Sequence, residues 1–176
     1  MKGIIVLEGP DGAGKSYFAK YLISKYGGVV LHQKYKFKNK IDLYYMAVFK
    51  KALKLSQTQL VILDRFHISE IIYGEIFRNG SKCPWILKYY NEMFNILNIP
   101  IILCIPRTVE QGNRWFNCVK NQRDEMYQDI QKVIKLYINY SKKNPQLLTY
   151  NKEEAENSEE YIMGIIEKIK EKLCTN

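Results

Sequence analysis

The chain has 176 residues, 47% of them hydrophobic and 26% charged. A chain of that length buries roughly 70% of its extended surface without covalent staples, and its composition excludes a disordered tail, a collagenous fibre and a membrane span. The net charge of +9 rests on 22 lysines and five arginines; the densest basic stretch, Lys34, Lys36, Lys38 and Lys40, only alternates with other residues, so the charge reads as a solvated surface and nucleic-acid binding is not the expected main function.

In chain order, Gly3 to Glu8 (GIIVLE) predicts a buried strand rich in β-branched residues. Its apolar run, Ile4 to Leu7, is too short for the core of a secretory signal and stops at Glu8, so a cytoplasmic address is expected. Lys15 to Tyr26 predicts a helix stopped by Gly27 and Gly28. Val29 to His32 reads as a short second strand. Lys40 to Leu55 reads as a helix, with Leu43, Ala47, Phe49 and Leu53 near a helical repeat. Gln59 to Asp64 (QLVILD) is a third buried strand, Phe66 to Phe77 a helix, and Asn79-Gly80 a turn. Pro84 suits the first position of a helix that runs to Leu97. Ile101 to Ile105 is a fourth strand. Helices follow over 108–117 and 126–141, the second with Tyr127, Ile130, Ile134, Tyr137 and Ile138 on one stripe. Gln146 to Tyr150 is a fifth strand. Asn151 to Glu160 is expected to be an exposed polar loop, and Ile162, Ile165, Ile166, Ile169 and Leu173 mark a last helix.

Continuously apolar strands separated by helices predict an α/β fold with a parallel sheet covered on both faces. No repeat, linker or low-complexity block interrupts the chain, so one domain over 1–176 is expected. Cys83, Cys104, Cys118 and Cys174 form no C-x-x-C pair and have only His32 and His67 as further ligands for zinc; they read as reduced thiols.

The strand-to-helix junction Gly9-Pro10-Asp11-Gly12-Ala13-Gly14-Lys15-Ser16 matches G-x-x-x-x-G-K-[ST], in the context the motif requires. Its glycines let successive N–H groups face one anion, and the helix N-terminus adds partial positive charge. Lys15 would reach the β- and γ-phosphates of ATP, Ser16 would ligate Mg²⁺, and the adjoining Tyr17 completes the nucleotide-binding stretch Gly9 to Tyr17. This predicts a P-loop NTPase fold: a five-stranded parallel sheet, helices on both faces, and a short lid over about 114–125. Asp64 closes the third strand. It can hold Mg²⁺ through water, or cap the helix that starts near Phe66. No N-K-x-D base-reading motif of a GTPase occurs.

Asp64-Arg65-Phe66-His67-Ile68-Ser69-Glu70-Ile71-Ile72-Tyr73 has the form D-R-x-x-x-S-x-x-x-Y, and Glu8 to Ser16 reads EGPDGAGKS. Both stretches resemble the signatures of thymidylate kinases. Pro106, Arg114, Arg123-Asp124-Glu125 and Tyr137 are similar to the later, lid-bearing part of that family. The resemblance covers about residues 3–26 and 59–140. It implies that Arg65 clamps the acceptor monophosphate, that Asp11 contacts the acceptor sugar, and that the molecule is a homodimer. Because Gly12 stands where some members carry an arginine, the catalytic arginine is expected in the lid, as Arg123 first and Arg114 second. Arg65, Ser69 and Tyr73 recur every four residues, hence on one helical face. Arg78 lies further along as a second acceptor contact. Phe37, Tyr44, Tyr45, Phe66 and Tyr73 offer rings for stacking a base, though aromatics at these spacings more often belong to the core. The family's T-R-E-P-G-G after the second strand is absent; Leu31-His32-Gln33-Lys34-Tyr35 stands there. Gly74 replaces the glutamine after the signature tyrosine.

The expected function is transfer of the γ-phosphoryl of Mg·ATP to a deoxynucleoside monophosphate, dTMP first. A deoxynucleoside kinase on the same scaffold is the alternative; its hydroxyl acceptor needs a general base, for which Glu8 or Asp64 would serve. A nucleotide- or nucleic-acid-binding protein with little turnover, or a polynucleotide 5′-kinase, is the third reading. Small nucleotides are the expected partners, and no membrane contact is expected.

Overall fold

The structure, a computed structural model, describes residues 1–32, 41–81, 83–118 and 129–174. Five strands, β1 (Gly3–Glu8), β2 (Val29–His32), β3 (Leu60–Asp64), β4 (Ile101–Cys104) and β5 (Leu148–Tyr150), form one sheet in the order β2-β3-β1-β4-β5. Every pairing is parallel. Eight helices are described: α1 (Lys15–Tyr26), α2 (Ile41–Ser56), α3 (His67–Phe77), α4 (Trp85–Ile96), α5 (Val109–Asn117), α6 (Ile130–Lys143), α7 (Lys152–Asn157) and α8 (Glu159–Cys174).

Alternation along the strands feeds two cores. Ile4 and Val6 of β1, with Val61 and Leu63 of β3, face the layer that includes α2, α3, α4 and α6. Ile5 and Leu7, with Leu60 and Ile62, face α1 and α8. Since both faces are buried, the strands read as unbroken apolar runs and not as alternating ones. Around Phe66, which is fully buried, stand Tyr45, Tyr90 and Phe94, with ring centroids 4.9, 4.7 and 5.6 Å away. Tyr45 and Phe66, two of the rings expected to be available to a base, thus belong to the core. Phe37 and Tyr127 lie outside the described residues.

The polar stretch expected as a loop over 151–160 is mostly helical. Asn151 Oδ1 accepts from the backbone N–H groups of Glu153 and Glu154, 3.1 and 3.3 Å away, which starts α7. Ala155 fills a core position beneath it. The cap and one buried alanine suffice to order a segment whose composition alone reads as solvent-facing. No described helix is long and apolar enough to cross a membrane.

The parallel register brings the functional ends together. Leu7 pairs with Asp64 and Glu8 with Leu103, so the loops after β1, β3 and β4 leave the same edge of the sheet. β1 has β3 on one side and β4 on the other, and the chain changes direction across it. Such a switch point opens a crevice at the carboxyl ends of the strands.

Candidate active site

The loop from Gly9 to Gly14 joins β1 to α1, with Gly14 as the residue before the first helical turn. Two positions accept only glycine. Gly9 has φ +148°, and a Cβ there would lie 2.0 Å from the Cys104 carbonyl oxygen of β4. Gly12 has φ +79°, and its Cβ would meet the Trp115 carbonyl oxygen at 2.9 Å. The loop is thus pressed between β4 and the end of α5. Lys15 is buried, and its ammonium curls back to donate to the carbonyls of Gly9 and Pro10 at 2.9 and 2.7 Å. Burial, then the Arg65 guanidinium, push its pKa down to about 8 against the pull of Asp11 and Asp64. Ser16 and Tyr17 are exposed on the first turn of α1.

Arg65 lies just after β3 in the left-handed backbone region, at φ +66°. Its N–H donates to the Leu7 carbonyl at 2.8 Å, tying the turn to β1. From there the guanidinium reaches Asp11 of the P-loop, Nη2 to Oδ1 2.5 Å, and lies 4.5 Å from the centroid of the Tyr73 ring. The motif from the third strand and the motif from the first therefore meet side chain to side chain. Asp64, at the end of β3, accepts on Oδ2 from His32 at the end of β2, Nδ1 2.8 Å away. Its other oxygen, Oδ1, is buried with no hydrogen-bond partner among the described residues.

Glu8 does not line the crevice. It is fully buried, and its carboxylate accepts from the backbone N–H groups of Phe66, Ile68 and Ser69 at 2.9, 3.0 and 3.2 Å. The Ser69 hydroxyl also bonds it and stands 2.7 Å from the Tyr137 hydroxyl. Glu8 is thus the acceptor for the open N-terminus of α3, a role that Asp64 was expected to fill. Burial raises its pKa, while Ser69 and Phe66 pull it down. Glu8, a candidate general base, and Ser69, expected on the face of Arg65 and Tyr73, instead fix α3 from below. The expected sharing of one helical face does not extend to Arg65, which lies before α3 with a left-handed backbone; its guanidinium nonetheless comes over the Tyr73 ring.

Arg78 lies at the C-terminus of α3, with Nη2 2.8 Å from Oε1 of the buried Glu70 carboxylate. Arg114, on α5, is largely exposed, 3.5 Å from Glu153 of α7. Glu153 also accepts from Gln111 Nε2 and Trp115 Nε1, both at 2.6 Å. Since the Trp115 carbonyl faces Gly12, this carboxylate ties α5 and α7 to the phosphate loop. Arg123 lies outside the described residues, as does the lid beyond Cys118.

The donor set suits a Mg·nucleotide. The glycine-lined loop has no room for Cβ atoms, Lys15 sits inside it, and Asp64 Oδ1 lacks a partner. His32, Glu153 and Trp115 were not singled out as site residues from the sequence. Their partners are 32, 38 to 42 and 38 residues away, and spacing carries no sign of such contacts. Asn151 followed by Lys-Glu-Glu is a readable capping pattern.

No family model matches the sequence. Among solved structures, the chain is similar to the YorR protein of Bacillus subtilis in complex with phosphorylated GDP, with TM-score 0.61 and 19% identity over 84% of each chain. It is also similar to deoxyadenosine kinase from M. mycoides. With bound dATP the TM-score is 0.54 at 17% identity, over 93% of this chain and 98% of that one. With the products dCMP and a flexible dCDP it is 0.56 at 19%, over 99% and 100%. The fold is the P-loop NTPase fold that these structures share.

Proposed function

We propose that this protein is an ATP-dependent phosphotransferase that passes the γ-phosphoryl group to a deoxynucleoside monophosphate, with dTMP the first acceptor to test. The observation that carries the reading is the Arg65–Asp11 contact. It sets a half-buried guanidinium, over the Tyr73 ring, beside the phosphate loop that leads into Lys15. A fork of that kind binds a phosphate in two places. The resemblance of the D-R-x-x-x-S-x-x-x-Y stretch to thymidylate kinases supports the same role.

In this reading Lys15 leaves the Gly9 and Pro10 carbonyls and takes the β- and γ-phosphate oxygens. Arg65 holds the acceptor phosphate, with Asp11 orienting the guanidinium and facing the sugar. Arg123 or Arg114 closes over the migrating group, where charge grows in the transition state. Ser16 and Asp64 would hold Mg²⁺, which supplies charge neutralisation on the donor phosphates when bound. Positioning and electrostatics carry the catalysis, without a covalent enzyme intermediate.

A second reading, a deoxynucleoside kinase, draws on the likeness to deoxyadenosine kinase. It requires a general base. Glu8 is enclosed by five hydrogen-bond donors, so that role would pass to Asp64. The test is ADP release from Mg·ATP with the four common deoxynucleoside monophosphates, dUMP, thymidine and deoxycytidine. Turnover on a monophosphate supports the first reading and names the base. Turnover confined to nucleosides replaces it with the second. Silence on both directs the search to DNA 5′ ends and salt-dependent DNA binding.

A further inference from the structure

Asp64 has two oxygens in unlike surroundings. Oδ2 accepts from His32 Nδ1 at 2.8 Å, and Oδ1 is buried without a partner among the described residues. A buried carboxylate oxygen left bare costs free energy unless something else satisfies it. His32 is attached firmly at its base. It is the last residue of β2, in register with Asp64 across the β2–β3 pair. Its side chain is 57% exposed, so its one described polar contact is with Asp64.

From these contacts we infer that His32 is a positioning residue of the metal site. Its ring holds the Nδ1–H tautomer, donates to Asp64 Oδ2, and so fixes the carboxylate with Oδ1 turned toward the hydrated cation of the donor nucleotide. The inference rests on the proposed role of Asp64 and adds the residue that makes it work. A free aspartate at a strand end samples several χ1 and χ2 values. One whose second oxygen is tethered by a neighbouring strand presents a single acceptor direction. Partners of this kind, a shell behind the ligands, typically change metal affinity by about 10- to 100-fold. The hydrogen bond also explains why a histidine suits the end of β2: a donor is needed there, and a lysine or arginine would place a full charge against the incoming cation.

The test uses the full chain saturated with the β,γ-imido analogue of ATP. Mn²⁺ is titrated in and followed by electron paramagnetic resonance. His32→Ala should weaken Mn²⁺ by about tenfold or more. His32→Asn, whose amide N–H can take the place of Nδ1–H, should restore most of it. Thermal unfolding checks that each variant is folded. The chain has only two histidines, so ¹⁵N spectra of the wild type and of a His67 variant assign the His32 ring directly, and it should show Nδ1–H. Asp64→Asn separates the two claims. If it leaves Mn²⁺ affinity unchanged, Asp64 has no metal role and the whole reading of this edge fails. If it weakens Mn²⁺ while His32→Ala does not, Asp64 stands and the positioning role of His32 is overturned. An Nε2–H tautomer in the wild type, or failure of His32→Asn to recover affinity, overturns it as well.

Discussion

Lys15 is a buried cation and Arg65 a half-buried one, and they make different contacts. Lys15 holds loop carbonyls, which are weak partners that phosphate oxygens can displace. Arg65 is gripped by a carboxylate and a ring, and stays where it is. Lys15→Ala should therefore lower turnover by about a hundredfold or more, the usual loss when one donor to transition-state charge is removed. Arg65→Ala should raise the acceptor KM by roughly 10- to 100-fold, the size of a lost charge-assisted hydrogen bond, with a much smaller effect on ATP. Steady-state kinetics with each substrate varied in turn measure both, and equal losses for donor and acceptor would refute the division of roles. His67 makes a third residue-scale case. Burial pushes its ring down to about pH 4, with the Asn91 hydrogen bond pulling the other way. The unfolded chain takes up that proton near pH 6.5 and the folded chain only near 4. The stability held above 6.5 is thus lost as the pH falls toward 4, by up to about 3 kcal/mol. Glu8, whose pKa burial raises, drives stability the opposite way. Comparing urea unfolding of the wild type and His67→Phe between pH 7 and 4 isolates the histidine, and identical pH slopes would contradict it.

At the scale of elements, α3 and α7 are both started by a polar side chain from outside the helix. The acceptor for α3 comes from β1, 58 to 61 residues earlier in the chain. The acceptor for α7 is the adjoining Asn151, which also reaches Gln111 Oε1 of α5 at 3.2 Å and the Ile105 carbonyl at 3.4 Å. α7 is short but backs the loop between β1 and α1, because Lys152 packs on Gly14 and Glu153 holds Gln111 and Trp115. Asn151→Ala should cost about 1–2 kcal/mol of stability and raise the ATP KM several-fold. Asn151→Ser keeps a capping oxygen and should recover part of both. Chemical denaturation and donor kinetics read the outcome, and an unchanged ATP KM in the alanine variant would show that α7 does not support the donor site.

At the scale of the molecule, the two cores on either side of the sheet leave the carboxyl edge as the place where loops meet. The ends of β2 and β3 bring His32 and Asp64 there, the turns after β1 and β3 bring Asp11 and Arg65, and Lys15 begins the helix after β1. A donor nucleotide binding only to this assembled edge must stabilise the fold by mass action, by about 2.7 kcal/mol at a hundredfold excess over its Kd. For a chain of this size that raises Tm by about 5–10 °C. A thermal shift with the imido analogue and Mg²⁺ measures it, and the shift should vanish in Lys15→Ala. A full shift in that variant would place the nucleotide elsewhere.

The sequence by itself determined the succession along the chain of the five strands and of every described helix but α7, the parallel sheet with both faces covered, and the glycine-rich loop after β1. Those features are local: apolar runs, helical periodicity, and glycines at fixed offsets beside Lys15 and Ser16. It did not place Arg65, which precedes α3 in the left-handed region and still reaches the Tyr73 ring with its guanidinium. What only the tertiary structure decided was who meets whom across the sheet. A carboxylate looks alike in sequence whether it faces substrate, as expected for Glu8, or lies buried against a helix N-terminus. An arginine looks alike whether it is free to close on a phosphate or lies beside Glu153, as Arg114 does, or on Glu70, as Arg78 does. Strand order and register set those partners, through contacts tens of residues apart that no periodicity records.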